Sequence, residues 1–220
     1  LIIAAIPVKN HLEWTAPLVE SLLLADKIDE IWIYDNGSTD QTMRWIIHRG
    51  KIDDRLRYFN ATGWNFYKMW NDMIAKAANI GGVKLAILNN DIRLPHMALK
   101  IMADYMGHYK IATIDKTKGS FEPIGNVQSK EISWMHRAGW AFMIDADFWK
   151  DQDYAIHPDF KLWWGDDDLY RRCESRGGKI CTIVGVGCDH AISVTTDTDY
   201  SGDKDKDTSD DKIKFSELWG

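Results

Sequence analysis

Short apolar runs that stop abruptly in polar or acidic residues recur through the first half of the chain, and this recurrence restricts the fold more than any other feature. Leu1-Ile-Ile-Ala-Ala-Ile6, Ile31-Trp-Ile-Tyr34, Leu56 to Phe59 and Leu85-Ala-Ile-Leu88 have the length of strands. The first and last lack polar alternation, as strands covered on both faces do, and Pro7 is expected to stop the first ladder. Helix-spaced stretches lie between them. Trp14, Leu18, Val19, Leu22 and Leu23 form one stripe. Thr39 or Asp40 can cap a helix through Ile47. Phe66, Trp70, Met73, Ile74 and Ala77 share a third helical face that Gly81-Gly82 ends, and Pro95 opens a fourth helix to about Gly107. Strands alternating with helices in this way predict an α/β fold with a parallel, doubly wound sheet.

The second half reads differently. Ile111 to Ile114, Ile132 to Met135 and Gly139 to Ile144 are strand-like without long helices between them, so antiparallel additions to the sheet are expected. Asp147-Phe-Trp149 starts a short helical piece. A longer helix from Asp166 to Arg176 carries an acidic first turn that suits the macrodipole, and Lys179 to Val184 is a further strand. Thr195 to Asp211 is polar and reads as a mobile acidic loop, whereas Ile213 to Trp219 reads as a segment that docks back. One domain over 1–194 with a tail over 195–220 is the expected organisation.

With 220 residues the chain can bury a full core. A net charge of −6 argues against a general nucleic-acid binder, although Arg44, Arg49, Lys51, Arg55 and Arg57 cluster locally. Cys173, Cys181 and Cys188 form neither a disulfide framework nor a metal pair, which points to reduced thiols and a cytoplasmic setting. The longest apolar run, Leu1 to Ile6, is far short of the roughly 20 residues of a membrane span. Eleven tryptophans are unusual, and some are expected to line a surface for a flat or ring-shaped ligand.

Open α/β sheets bind ligands at the carboxyl ends of their strands. That places Asp35, after Tyr34, and Asp91, in Asn89-Asn90-Asp91, among the candidates; the competing use of such residues is to cap a turn. No Gly-x-x-x-x-Gly-Lys loop and no Gly-x-Gly-x-x-Gly follows a strand, which argues against P-loop and dinucleotide chemistry. Asp203-x-Asp205-x-Asp207 has the start of a calcium loop, but Thr208 stands where Gly is needed and Lys214 where Glu is needed.

Four segments in order, Ile6-Pro-Val-Lys-Asn10, Tyr34-Asp-Asn-Gly-Ser-Thr-Asp40, Leu88-Asn-Asn-Asp91 and Trp164-Gly-Asp-Asp-Asp-Leu169, resemble the GT-A-fold inverting nucleotide-sugar glycosyltransferases of family two. The acidic stretch is also similar to that of the β-1,4-galactosyltransferases. The resemblance runs from Ile2 to about Ser193. It implies that Pro7 meets the nucleotide, that Asp35 bonds the uracil or ribose edge, and that Gly63, Asn71 and Asn90 lie near the nucleotide. Asp91 ends the counterpart of the family's Asp-x-Asp signature and is implied as a ligand of Mn²⁺ or Mg²⁺, with His190 a further ligand; Asn89 departs from the pattern by lacking the first carboxylate. The catalytic base falls on Asp166 with Asp167 its rival or an acceptor-binding acid, and Gly165 replaces the family's Glu. Trp140, Trp163 and Trp164 are implied walls for acceptor or sugar. The Asp197 to Asp211 segment would close over the donor, and Leu218-Trp219-Gly220 would return to the donor site.

The expected activity is therefore metal-assisted transfer of a hexose from a UDP-sugar to an acceptor hydroxyl with inversion, the acceptor being a saccharide, lipid, protein or modified nucleobase. The alternatives are a nucleotidyltransferase, for which the usual Gly-rich opening loop is missing, and a non-catalytic nucleotide-sugar binding module.

Overall fold

The computed structural model describes residues 1–114, 126–136, 139–191, 200 and 202–220. Strands β1 (Ile2–Val8), β2 (Glu30–Asp35), β3 (Leu56–Asn60) and β4 (Lys84–Leu88) are joined by helices α1 (Leu12–Leu24), α2 (Thr42–Gly50) and α3 (Phe66–Ile80). A short β5 (Ile92–Arg93) and helix α4 (Ala98–Met106) follow. Then come β6 (Ile111–Ile114), β7 (Gln128–Ile132), β8 (Ala141–Asp145), α5 (Gly165–Ser175), β9 (Ile180–Val184), β10 (Asp189–His190) and α6 (Lys204–Trp219).

The main sheet runs in the order β3-β2-β1-β4-β8-β6-β9-β7. The pairs among β1 to β4 are parallel, β8 is antiparallel to both β4 and β6, and β7 closes the far edge antiparallel to β9. The expected antiparallel additions are thus present. Because the chain winds outward from β1 to β3 and then returns to β4, the strand order reverses between β1 and β4, and a crevice opens there at the carboxyl edge. Pro7 lies two residues beyond the last β1–β4 pair, Ala5–Ile87, so its missing N–H removes no rung on that side. Contrary to expectation it does not end β1, whose pairing with β2 continues to Val8–Asp35.

Alternate side chains of the buried strands feed two cores. Ala4, Ile6 and Val8 pack with Leu18, Val19 and Leu22 of α1, Ile46 of α2, and Leu99, Met102 and Met106 of α4. Ile3 and Ala5 pack on the other face with Trp70, Met73 and Ile74 of α3 and Leu169, Tyr170 and Cys173 of α5. Two-sided cover explains why β1 and β4 carry unbroken apolar runs. Edge strand β7 is mostly exposed, with Ser129 and Ile132 half-buried; the strand expected over Ile132 to Met135 instead runs Gln128–Ile132, and Trp134–His136 forms a 3-10 turn. Three of the five clustered basic residues are paired with acids, Arg49 with Glu20, Arg55 with Asp53 and Arg57 with Glu30.

The largest departure is at the C-terminal end. Of the acidic stretch expected to be a mobile loop, residues 204 onward form α6, with Asp203 as N-cap accepting from the Lys206 N–H at 3.1 Å; residues 192–199, where the proposed closing segment begins, lie outside the described residues. The buried stripe of α6 runs Asp207, Asp211, Phe215, Trp219, at a spacing of one helical turn. Its first two members are carboxylates, so no apolar periodicity announces the helix. Among the described residues no helix is long and apolar enough to cross a membrane.

Candidate active site

The ends of β1 and β2 are knitted into one turn system. Asp35 is 1% exposed, and its Oδ1 accepts from the Ser38 N–H at 3.0 Å and hydroxyl at 2.5 Å, while Oδ2 accepts from the Tyr58 hydroxyl at 3.1 Å. Burial, followed by the Asp35 charge, pushes the Tyr58 phenol up to about 12. The Asn10 side-chain carbonyl accepts from the Thr39 N–H at 2.8 Å. Asn36 spans to the next loop, accepting from the Gly63 N–H at 3.0 Å and donating to the Trp64 carbonyl at 2.9 Å. Gly63 has φ +78° and open space where a Cβ would stand, a conformation suited to glycine. Asp35 and Gly63 thus border one exposed loop at the carboxyl edge.

Asn71 does different work from that expected. Its Oδ1 accepts from the N–H groups of Ala155 and Ile156, both at 2.9 Å, and its Nδ2 donates to the Ile156 carbonyl at 2.7 Å. It sits in α3 about 7 Å along the axis from Phe66, and both ends of its amide hold the 155–156 segment rather than a ligand.

Across the crevice, Asn90 Nδ2 donates to Thr15 Oγ1 of α1 at 3.1 Å. Asp91 follows, 4% exposed. The pairing of β5 with β10 sets Ile92 opposite His190 and brings His190 Nε2 to 3.3 Å from Asp91 Oδ1. The His190 ring stacks on Trp140 with centroids 5.1 Å apart and planes 19° apart, and the Trp140 carbonyl accepts from the Asn89 N–H at 2.8 Å. Among the described residues, the buried Oδ1 atoms of Asn89 and Asp91 accept no hydrogen bond. Two buried oxygens two residues apart, beside an imidazole nitrogen, are donor types that would suit a divalent cation. Asn89 retains an acceptor oxygen where the family places a carboxylate. No group of three His, Cys, Asp or Glu able to hold a metal occurs among the described residues.

The acidic turn opens α5. Trp164 enters it with φ 67°, in the left-handed region that few non-glycine residues adopt. Gly165 follows, and a Cβ there would meet the Tyr67 ring at 2.5 Å. A side chain at this position would therefore require the ring to move. Tyr67 is buried and donates to the Leu162 carbonyl at 3.2 Å; burial first, then the Asp166 charge, raises its phenol well above the ordinary range. Asp166 is half-buried and its carboxylate lies directly on Gly139, next to Trp140. Asp167 is 2% exposed. Asp168 is fully buried and engaged: Oδ2 accepts from the His157 N–H and Arg172 Nε, both at 2.7 Å, and Oδ1 from Trp219 Nε1 at 2.8 Å. The C-terminal tryptophan thus returns to the acidic turn. Trp164 packs on Phe215 with centroids 5.3 Å apart, whereas Trp163 is 38% exposed.

Asp91, His190, Trp140, Gly139 and Asp166 form one continuous run of contacts along the carboxyl edge of β4 and the start of β8. Asp35 lies two strands away, roughly 10 Å by strand spacing. Sequence reasoning did not single out Tyr67 or Asp211. Tyr67 falls beside the apolar stripe of α3, and Asp211 was masked by the polar composition around it.

The profile of Glycosyl transferase family 2 matches residues 3–161. Among curated proteins no sequence matches. Solved structures with the same fold include a mannosyltransferase from Pyrobaculum calidifontis in complex with GDP-Man and Mn²⁺, 13% identical with a TM-score of 0.64, over 87% of this chain and 56% of that one. S. aureus TarS 1-349 in complex with UDP-GlcNAc is 15% identical with a TM-score of 0.61, over 83% and 57%. Glucosyl-3-phosphoglycerate synthase from Mycobacterium tuberculosis, with Mn²⁺, UDP and glucosyl-3-phosphoglycerate, is 14% identical with a TM-score of 0.58, over 96% and 76%. The chain spans a little over half the length of the first two. With a profile covering most of its length, the GT-A architecture and the motifs at the carboxyl edge, the chain belongs to glycosyl transferase family 2.

Proposed function

We propose that the chain transfers a hexose from a UDP-linked donor to an acceptor hydroxyl, with inversion at the anomeric carbon. The observation that carries this reading is the contact run from the Asp91–His190 pair through Trp140 to Asp166 on Gly139, which brings an imidazole–carboxylate pair and a half-buried carboxylate to one edge. The ligands of the solved relatives, nucleotide sugars and Mn²⁺, support the same substrate class.

In this reading the loops at Asp35 and Gly63 seat the nucleoside, with Pro7 and Asn90 flanking the diphosphate. Asp91 and His190, with the Asn89 amide oxygen beside them, would hold Mn²⁺ or Mg²⁺, which would supply positive charge to offset that developing on the leaving diphosphate. The Asp166 carboxylate accepts the proton of the acceptor hydroxyl as that oxygen attacks the anomeric carbon; the bond from that carbon to the diphosphate oxygen breaks and UDP leaves. Asp167, buried beside Asp166, is the rival base or an acceptor-binding acid. Trp140 and the exposed Trp163 border the sugar or acceptor, while Trp164 serves as packing for α6.

A thermal-shift screen against UDP-, GDP- and dTDP-sugars with and without Mn²⁺ tests the reading, since a ligand of the folded state raises stability. A shift that needs both a UDP-sugar and Mn²⁺ is expected, with UDP release in the same mixture. Pyrophosphate release would indicate nucleotidyl transfer, and binding without turnover in the presence of varied acceptors a binding module.

A further inference from the structure

We propose that Asp211 is a positioning residue for the reaction, acting through the 161–163 backbone to fix the Asp166 carboxylate; the inference rests on the reading of Asp166 as the base. The Asp211 side chain is 1% exposed, and with Asp207 it forms the buried face of a helix whose first half is otherwise mostly exposed. Its Oδ1 accepts from the Lys161 N–H at 3.0 Å, and its Oδ2 from the N–H groups of Leu162 and Trp163, both at 2.8 Å. Three successive amides converging on one carboxylate form a cradle that fixes the path of the backbone. The Leu162 carbonyl is taken by the Tyr67 hydroxyl at 3.2 Å, so the loop is held from α6 and from α3.

The next residue is Trp164, in its left-handed conformation, and the two after it are Gly165 and Asp166. A left-handed tryptophan persists only where its surroundings impose the conformation. Here the surroundings are the Asp211 cradle on one side and the Phe215 ring on the other. The Lys161 ammonium, 2.8 Å from Asp207, ties the start of the same loop to the same helix. The family profile ends at residue 161, so none of α6 falls within it. Releasing the cradle would let the first turn of α5 shift, and a displacement of about 1 Å at a reacting group costs on the order of a hundredfold in rate.

The test compares wild type, D211A, D211N and D166N in the whole chain. UDP release is followed with UDP-glucose, UDP-galactose and UDP-N-acetylglucosamine, and Mn²⁺-dependent UDP binding is measured separately. D211A is expected to lower kcat by roughly 30- to 100-fold and to displace the acidic limb of the pH profile, with donor KM and UDP affinity within about twofold of wild type. D211N keeps an accepting carbonyl and should recover kcat to within about fivefold. Wild-type kcat and pH profile in D211A, or loss of UDP affinity in step with kcat, would overturn the inference. If D211A does not fold, D211S, which keeps one acceptor, must show the same split. A fully active D166N removes the reading of Asp166 and this inference with it, whereas an inactive D166N beside a normal D211A removes this inference alone.

Discussion

The Asp166 carboxylate rests against the bare Cα of Gly139, where a Cβ would stand 2.4 Å from Oδ2 and 3.0 Å from Cγ. The contact joins two segments far apart in the chain, the acidic turn of α5 and the entry to β8. Trp140, the next residue, carries the connection to His190. A glycine without a side chain thereby decides where the proposed base points.

Replacing Gly139 with alanine should act on chemistry more than on stability. The nearest atoms in the way are the carboxylate of one half-buried side chain, with its Cβ at 3.2 Å, so Asp166 must turn aside while the core residues are untouched. G139A is expected to fold with a melting temperature within a few degrees of wild type, to bind UDP with Mn²⁺ normally, and to lose on the order of a hundredfold in kcat. Circular dichroism and UDP-release kinetics on the same preparation decide it. A kcat equal to wild type would show that Asp166 has no role tied to this position.

The Tyr67 ring fills the space that a side chain at Gly165 would need, so a Glu there should be coupled energetically to the ring, and a double-mutant cycle checks it. G165E alone drives a side chain into a buried ring at 2.5 Å and should destabilise the protein by at least about 1–3 kcal/mol, the range for overpacked cores. Removing the ring with Y67A should leave a cavity, while the Y67A/G165E pair should be more stable than the sum of the two changes predicts. Urea denaturation of the four proteins gives the coupling, and strict additivity would mean that the ring and the missing Glu are unrelated.

Much of this architecture was legible in the residues because the parallel half obeys simple rules. Strands covered on both faces must be apolar throughout, and Asp35 and Asp91 fall where such strands end. The signal failed where burial is achieved by polar groups. Asp207 and Asp211 lead the buried stripe of α6, so a docked helix carries the composition of a solvated loop. β7 has polar residues because it closes the sheet edge. The two-residue pairing of β5 with β10, which brings His190 to Asp91, is too short to leave a periodic pattern. Contacts such as Asp166 on Gly139 depend on tertiary approach and have no local trace.

The Asp91–His190 pair predicts a specific dependence on metal. D91N replaces a charged oxygen with an amide and should weaken Mn²⁺-dependent UDP binding by at least about tenfold, because small divalent cations favour carboxylate ligands. H190A should do the same while also unstacking Trp140. UDP titrations by calorimetry at several Mn²⁺ concentrations separate the two contributions: weaker binding that added Mn²⁺ restores identifies a ligand, and binding insensitive to Mn²⁺ in wild type would exclude the pair as a cation site.

The docking of α6 should fail in acid, and the sign follows from Asp207. The Lys161 ammonium, then the Tyr200 hydroxyl, holds the Asp207 carboxyl below its ordinary range. A carboxyl whose folded value is depressed stabilises the fold fully above its unfolded value, about pH 4, and loses that contribution as pH falls through the lower folded value. Lys161 is shifted the opposite way, upward, by the same partner, so its contribution is complete below the ordinary lysine range, about pH 10, and is lost only above it. The pair therefore holds Lys161 to α6 across the neutral range and releases it from the acid side first. The melting temperature of wild type should exceed that of D207N above the ordinary carboxylate range, and the difference should shrink as pH falls below that range. A difference that persists unchanged at the acid end would mean that the Asp207 contact holds the helix by some means other than its charge.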